Sequence, residues 1–229
     1  MEKAKFENLE ILNLGNNRIS DINILEKVNF PELKELDLFM NQISDIKVLE
    51  KVKFEKLEIL NLGLNQISDI DIFGKVKFKK LKELFLCENN ISDIKVLGKV
   101  IFEKLELLDL GENEISDINI LEISNFKELK ELNLKKNQIS DIKVLGRVKF
   151  EKLEILNLND NQISDINILE KVNFKELKKL SLKNNKISDI KVLERVKFEK
   201  LEKLYLGNNV VENYSIYHPK SKVQKLIIW

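Results

Sequence analysis

The chain has 229 residues, of which 43% are hydrophobic, so it is long enough to bury a sizeable core. Charged residues make up 34% of the sequence, but 39 Lys and Arg against 38 Asp and Glu leave a net charge of +1. No overall field therefore attracts the chain to nucleic acid or to an anionic membrane, and neither partner is predicted.

The single cysteine, Cys87, limits the redox chemistry of the chain. One cysteine cannot form an internal disulfide or an all-cysteine metal site, so a cytoplasmic location is the simplest expectation. The first residues, MEKAKFENLE, lack the apolar core of a signal peptide, and no apolar run approaches the ~18 residues of a membrane span. Any export signal of the natural protein would lie outside this chain.

Phenylalanine recurs every 24 residues, and this period organises the whole sequence. The column consists of Phe6, Phe30, Phe54, Phe78, Phe102, Phe126, Phe150, Phe174 and Phe198. Each unit, called a coil below and numbered 1 to 9 from Phe6, reads F-x-x-L-x-x-L-x-L-x-x-N-x-I-S-D-I-x-V-L-x-x-V-x. A fixed period of this size predicts stacked units that bury their apolar sides only against neighbours. We therefore predict one solenoid over residues 1–209 and not two domains.

Within each coil, the L-x-L step alternates with period two and predicts a short strand with both leucines inward. An unbroken asparagine column follows, and we expect it to satisfy backbone groups where the chain turns off the strand. Its members are Asn17, Asn41, Asn65, Asn89, Asn113, Asn137, Asn161, Asn185 and Asn209. The Ser-Asp pairs of eight coils, from Ser20 and Asp21 to Ser188 and Asp189, predict caps of short helical or 3₁₀ segments and not a metal ladder.

These residues carry a resemblance that covers nearly all the chain. The pattern L-x-x-L-x-L-x-x-N-x-I resembles the leucine-rich repeat, and its continuation I-S-D-I-x-x-L is similar to the subclass that includes internalins and protein phosphatase regulatory subunits. The usual unit of that subclass is shorter, and the 24-residue unit inserts V-x-F before the next leucine. The resemblance implies an α/β repeat solenoid with a parallel sheet on its concave face, short helical or 3₁₀ segments on its convex face, and protein binding as its commonest role.

A second period of two coils lies inside the first. One column alternates strictly between Ile and Val, from Ile24 and Val48 to Ile168 and Val192. A surface row alternates in charge through Glu10, Lys34, Glu58, Lys82, Glu106, Lys130, Glu154, Lys178 and Glu202. Because neighbouring strands lie ~4.8 Å apart, each charge is expected beside an opposite one. Duplication of coil pairs explains this regularity, and so does a consensus design.

The two ends of the solenoid differ in sequence. The repeats begin after Lys5 without a dedicated cap, whereas after Asn209 the pattern breaks and residues 210–229 read as a modified closing coil. Aligning Val223, Leu226 and Ile228 with Leu201, Leu204 and Leu206 predicts a last coil of 22 residues and a tenth strand. The stop at Trp229 is equally compatible with a fragment of a longer protein.

Nothing in the sequence assembles a catalytic centre. The only histidine, His218, is about five coils from Cys87, and the seven glycines are scattered singly instead of forming a phosphate loop. We predict neither an enzyme nor a bound cofactor.

The outward residues of the strands are least constrained by packing, so departures from the repeat are informative there. The inter-leucine column runs Asn13, Asp37, Asn61, Phe85, Asp109, Asn133, Asn157, Ser181 and Tyr205. The post-leucine column runs Gly15, Phe39, Gly63, Cys87, Gly111, Lys135, Asn159, Lys183 and Gly207. The column after it runs Asn16, Met40, Leu64, Glu88, Glu112, Lys136, Asp160, Asn184 and Asn208.

Five apolar departures fall in coils 2 to 4 and define the apolar patch: Phe39, Met40, Leu64, Phe85 and Cys87. Clusters of aromatic residues and Met are typical of protein contact sites, although neutral drift or mutual packing would give the same residues. The predicted site continues through acidic Glu88, Asp109 and Glu112 to Tyr205 and a group of lysines. These lysines are Lys135, Lys136, Lys179, Lys183 and Lys203.

The pre-leucine column precedes the first strand leucine and alternates with the two-coil period. It carries Ile11, Ile59, Leu107 and Ile155 in odd coils, with Glu35, Glu83 and Glu131 between them. This stripe and the open ends of the solenoid predict some tendency toward homo-oligomers.

The leading hypothesis is a scaffold that binds a protein partner on its concave face. The alternatives are a structural or designed solenoid that self-associates, a fragment of an internalin-like surface adhesin, and, by resemblance alone, a phosphatase regulator.

Overall fold

A computed structural model of the protein describes residues 6–211 together with the backbone of residues 227–228. The described chain forms one sheet of ten short strands in sequence order, and all neighbouring strands are parallel. The strands are Ile11–Asn13 (β1), Glu35–Asp37 (β2), Ile59–Asn61 (β3), Glu83–Phe85 (β4), Leu107–Asp109 (β5), Glu131–Asn133 (β6), Ile155–Asn157 (β7), Lys179–Ser181 (β8), Lys203–Tyr205 (β9) and Ile227–Ile228 (β10). The predicted leucine-rich repeat solenoid is confirmed.

The opposite side of each of coils 1 to 8 carries a four-residue 3₁₀ helix. These helices are Asn23–Glu26 (η1), Lys47–Glu50 (η2), Asp71–Gly74 (η3), Lys95–Gly98 (η4), Asn119–Glu122 (η5), Lys143–Gly146 (η6), Asn167–Glu170 (η7) and Lys191–Glu194 (η8). In η3, the carboxylate of Asp69 accepts a hydrogen bond of 2.9 Å from the backbone N–H of Asp71, the first helical residue. The aspartate column therefore satisfies helix N–H groups, as predicted, and the serine hydroxyls make no such bond in the described coils.

The register between strands repeats the 24-residue period through β9, so that Leu36, for example, lies beside Leu60. The prediction for the closing coil is wrong by one residue, because β10 places Ile227, and not Leu226, beside Leu204. The closing segment has no asparagine column and no Ser-Asp turn to fix its length, so counting leucines could not set its register. Val223 lies outside the described residues.

The core is continuous along the solenoid and consists of the inward leucines, isoleucines and the phenylalanine column. The strand leucines from Leu36 to Leu182 are fully buried, whereas Leu12 and Leu14 of coil 1 are only partly covered. Some phenylalanine rings of successive coils contact each other: Phe30 and Phe54 are stacked with centroids 6.3 Å apart, and Phe126 and Phe150 are tilted at the same distance. Each coil thus depends on its neighbours for burial.

The asparagine column forms a hydrogen-bonded ladder. The side-chain amide of Asn65 donates to the backbone carbonyls of Leu38, Leu62 and Gly63 at 3.0–3.1 Å, and its oxygen accepts from the N–H of Ile43 at 3.0 Å. The same bonds repeat in the interior coils, where these asparagines are only 7–9% exposed. Only a side chain that both donates and accepts can do this, so the predicted structural role is correct.

The alternating charged row is divided into separate pairs. Lys34, Lys82, Lys130 and Lys178 each contact the glutamate of the preceding coil, at 2.8, 2.7, 2.6 and 2.6 Å. The hydrogen bond from Lys82 is the main reason that the pKa of Glu58 lies below its ordinary value. Within this row, the ion pairs therefore join coils two by two, in step with the two-coil period.

Candidate functional site on the sheet

The outward columns of the sheet hold the predicted site because the strand leucines on either side point inward. In β4 and the two residues after it, Leu84 and Leu86 are fully buried, whereas Phe85 and Cys87 are half-buried. Alternation of side chains along a strand places Phe85 and Cys87 on the same outward surface. The apolar patch therefore lies on the open face of the sheet.

Phe39 and Cys87 approach each other from coils 2 and 4 across Gly63. A methyl group placed on Gly63 would lie 3.0 Å from the Cys87 sulfur and 3.2 Å from a ring carbon of Phe39. Gly63 is itself buried and has no positive φ, so its role is to leave space and not to permit a turn. The missing side chain lets the ring and the thiol close over coil 3, and the structure thereby brings two predicted patch residues together.

Met40 and Leu64 have a left-handed backbone. Their φ angles are 55° and 51°, and the same column is left-handed in every described coil, at Asn16, Met40, Leu64, Glu88, Glu112, Lys136, Asp160, Asn184 and Asn208. This left-handed column suits Asn, Asp and Gly, whereas other residues cost roughly 1–2 kcal/mol in that conformation. Met40, which is 47% exposed, and the half-buried Leu64 are thus side chains that the backbone disfavours.

Cys87 is expected to be unreactive near neutral pH. Burial, with the negative charges of Asp109 and Glu88, raises the pKa of its thiol to about 12. A thiol with such a pKa is almost entirely protonated near neutral pH and is a poor nucleophile. The residue contributes apolar surface to the patch and not reactivity.

The acidic and basic residues of coils 5 and 6 pair with each other. The amino groups of Lys135 and Lys136 lie 3.5 and 2.6 Å from the Glu112 carboxylate. The amide of Asn133 donates to Asp109 at 2.9 Å. These contacts occupy charged groups that were predicted from the sequence to contact a partner.

An acidic zone remains between the two ends of the sheet face. Desolvation and the nearby carboxylate of Asp109 raise the pKa of Glu131 above its ordinary value, and Glu83 adds a smaller effect in the same direction. The three carboxylates occupy coils 4 to 6, immediately beyond the apolar patch. This part of the face therefore disfavours binding of an acidic group of a partner.

Basic residues gather in coils 8 and 9. The amino groups of Lys179 and Lys183 lie 5.7 and 5.0 Å from the centroid of the Tyr205 ring, within the range of cation–π attraction. Lys203 is the direct neighbour of Lys179 in the register of β8 and β9. We call Lys179, Lys183, Lys203 and Tyr205 the basic cluster.

Most of the predicted residues therefore fall into two separate groups, the apolar patch and the basic cluster, while Glu112 between them is paired with Lys135 and Lys136. The centres of the apolar patch and the basic cluster are about five coils apart, which corresponds to ~25 Å at the spacing of parallel strands. Glu88 is exposed at the edge of the patch. A single small ligand could not bridge the two groups, whereas an extended polypeptide could.

Two exposed residues that were not predicted from the sequence lie on the side of the solenoid away from the sheet. Ile101 and Ile123 are each 66% exposed, in columns that are otherwise polar or basic. Gly98 leaves space beside Ile123, because a methyl group there would lie 3.0 Å from a side-chain carbon of Ile123 and 2.7 Å from one of Ile120. Applying the same comparison between coils to the convex columns would have found them.

Two further properties concern only the described part of the chain. It contains no group of three or more His, Cys, Asp or Glu side chains arranged to hold a metal ion. None of its helices is long and apolar enough to cross a membrane. His218 lies outside the described residues.

The chain matches the family described as leucine-rich repeats (two copies) over residues 7–51, 55–99, 127–171, 151–195 and 175–217. These matches cover most of the sequence, so the chain belongs to the leucine-rich repeat family. No curated protein sequence matches it.

Solved structures specify the type of repeat. Internalin C2 from Listeria monocytogenes superposes with a TM-score of 0.69 at 28% identity, covering 86% of this chain and 80% of its own. Internalin InlF from the same species gives a TM-score of 0.52 at 24% identity, with 97% and 81% covered. The repeats are therefore of the internalin type.

A plant receptor shares the fold at lower identity. The peptide hormone receptor RGFR1, solved in complex with RGF2, gives a TM-score of 0.62 at 19% identity. The match covers 87% of this chain and 36% of the receptor. The likeness extends to the solenoid alone.

Proposed function

We propose that the protein is a non-enzymatic scaffold that binds a polypeptide on the open face of its sheet, with Phe39 and Phe85 as anchors. Leucine-rich repeat solenoids are typical protein-binding scaffolds, and the RGFR1 structure contains RGF2 as a ligand. The protonated thiol of Cys87 supports a role without covalent chemistry. The cytoplasmic location expected from the cysteine count stays a prediction.

The observation that carries this proposal is the left-handed backbone under Met40 and Leu64. In coils 1, 8 and 9, the same column carries asparagine, which accommodates that backbone readily. Coils 2 and 3 instead carry two large apolar side chains next to Phe39 and Cys87. Strained residues that also enlarge an exposed apolar surface fit a binding role better than a role in stability.

The anchor residues can be tested with variants that restore the repeat. Phe39→Gly and Phe85→Asn introduce residues that other coils carry in the same columns. A displayed library of random peptides is selected against the wild-type protein, and the enriched peptides are measured against the double variant. We expect at least tenfold weaker binding, since buried aromatic anchors dominate such interfaces.

The matched control removes two exposed apolar residues from the other side of the solenoid. Ile101→Lys and Ile123→Lys also restore residue types found in their columns, and we expect binding within twofold of wild type. If the control variant lost the peptides while the anchor variant kept them, the binding site would lie at the convex residues and the proposal would fail. Circular dichroism checks that both variants fold.

Self-association is a second candidate, and it would use the edge of the sheet at β1. Within the described residues β1 pairs only with β2, and Ile11 and Phe6 are 57% and 43% exposed. An unpaired strand edge with apolar neighbours favours contact with another chain. Sedimentation equilibrium of the wild type and of Ile11→Glu tests this: a concentration-dependent dimer that the variant abolishes supports it, and a monomer at all concentrations refutes it.

A further inference from the structure

The pre-leucine column changes its chemistry at coil 8. It alternates between an apolar residue and glutamate through coil 7, so the pattern predicts glutamate at position 179 and an apolar residue at position 203. Both positions are lysine. The register of β8 and β9 makes Lys179 and Lys203 direct neighbours, which places two like charges side by side on adjacent strands.

Nothing in the described protein neutralises this charge. No carboxylate of the described residues lies within salt-bridge distance of Lys179, Lys183 or Lys203. The lysines of the alternating charged row, such as Lys178, each contact a glutamate. The charge of Lys179 lowers the pKa of Glu131, two coils away, but burial and Asp109 have larger effects and the pKa of that carboxyl stays above its ordinary value. The basic cluster therefore places three lysines together on the sheet face without a carboxylate partner among the described residues.

Tyr205 and Ser181 complete the surroundings of these lysines. The Tyr205 ring lies 5.0 Å from the amino group of Lys183 and holds two of the three cations near one point. Ser181, its neighbour in the register, is only 2% exposed, and its hydroxyl has no hydrogen-bond partner among the described residues. The site thus combines three cations with a buried hydroxyl that no group in residues 6–211 satisfies.

We propose that the basic cluster is a subsite for acidic side chains of a bound polypeptide. The proposal rests on the scaffold function above and specifies its partner: one segment of the partner is apolar and faces the apolar patch, and another, ~25 Å away along the sheet, is acidic. The carboxylates of Glu83, Asp109 and Glu131 between the two groups repel an acidic segment. This repulsion fixes the direction in which the polypeptide lies across the coils.

A charge-matched pair of variants tests the subsite. Lys179→Glu with Lys203→Ile restores the alternation of the pre-leucine column. Lys175→Glu with Lys197→Ile makes the same charge change at two exposed coil 8 lysines, also with residues found in their own columns. Because both double variants use residues that the repeat already tolerates, both should fold, and thermal unfolding verifies this.

The probe is a fluorescein-labelled hexa-aspartate peptide, measured by fluorescence anisotropy at 50 mM salt. We expect the wild type to bind it, the Lys179→Glu/Lys203→Ile variant to bind at least tenfold more weakly, and the Lys175→Glu/Lys197→Ile variant to stay within twofold. Raising the salt concentration to 500 mM should weaken wild-type binding, because exposed charges are screened. A hexa-lysine peptide should not bind.

Three results would overturn the proposal: no binding of hexa-aspartate to the wild type, equal losses in both variants, or tighter binding of a six-phosphate oligonucleotide that the same lysine variant abolishes. The last result would assign the cluster to nucleic acid. The Phe39→Gly/Phe85→Asn variant should still bind hexa-aspartate. Failure of the peptide-library selection alone would count against the anchor residues and not against the basic cluster.

Discussion

Leu64 and Asn65 are neighbours in the chain but belong to columns with opposite properties. Asn65 is buried, and its four hydrogen bonds hold two coils together, so every coil carries asparagine at this position. Leu64 is left-handed and half-buried, and its column carries five residue types besides asparagine. In the asparagine column, hydrogen bonds to the backbone determine the residue. In the left-handed column that contains Leu64, several residues depart from what the backbone favours.

The difference separates two roles of the repeat. Hydrogen bonding and close packing specify the inward columns so tightly that a substitution there acts on the fold. The outward columns tolerate variation, so coils 2 to 4 can carry an apolar surface and coils 8 and 9 a basic one. Three predictions test whether the two kinds of column behave as differently as their surroundings suggest.

The largest expected effect concerns the reactivity of Cys87, in the outward post-leucine column. Because the pKa of the folded thiol is raised from 9.0 to about 12, the thiolate fraction at pH 8 should be about a thousandfold lower than in the unfolded chain. The folded protein should therefore react correspondingly slowly with an aromatic disulfide reagent, and its rate should still rise with pH above 9. Equal reaction rates for native and urea-unfolded protein would show that Cys87 is fully solvated in the folded protein and would contradict this prediction.

The second prediction compares two adjacent asparagines. Asn89→Ala removes hydrogen bonds to Leu62, Leu86 and Cys87 and leaves the buried N–H of Ile67 without its acceptor, which should lower the free energy of unfolding by about 3 kcal/mol. The side chain of the exposed Asn90 makes no hydrogen bond to another described residue, so Asn90→Ala is the control and should change stability by less than about 0.5 kcal/mol. Urea unfolding followed by circular dichroism measures both. Similar losses for the two variants would contradict the structural role of the ladder.

The smallest expected effect concerns the left-handed column. Leu64→Asn should raise the free energy of unfolding by about 0.5–1 kcal/mol, because asparagine adopts a positive φ more easily than leucine. The reverse change at the exposed Asn16, Asn16→Leu, should lower stability by a similar amount. If Leu64→Asn destabilised the protein, packing of Leu64 would outweigh its backbone strain, and the comparison between the two columns would be weaker than proposed.

Most of the fold could be predicted because one period repeats without insertion from Phe6 to Asn209. The leucines, the asparagine ladder and the aspartate caps follow from residue type and spacing alone. The register of β10 could not be predicted, because the irregular closing segment contains none of the groups that fix coil length. Sequence periodicity therefore gives the architecture only as far as the period continues.

The site was predictable in outline but not in detail. Comparing coils located Phe39, Phe85 and the lysines, because departures from a repeat are visible in the sequence. The left-handed backbone of Met40 and Leu64 could not be predicted from the sequence. Glycine, which often marks a positive φ, occurs one position earlier in the coil, where φ is not positive. The pairing of Glu112 with Lys135 and Lys136 depends on side-chain conformation, which residue spacing does not determine.

The most direct test of the central claim, that the open face of the sheet binds a polypeptide through coils 2 to 4, is hydrogen exchange with a peptide selected from the random library. With the selected peptide bound, we predict slower amide exchange in the protein segments 37–41, 61–65 and 85–89. Exchange around Ile101 and Ile123, on the other side of the solenoid, should be unchanged. Protection confined to the convex segments, with the exchange of β2 to β4 unaltered, would contradict the account.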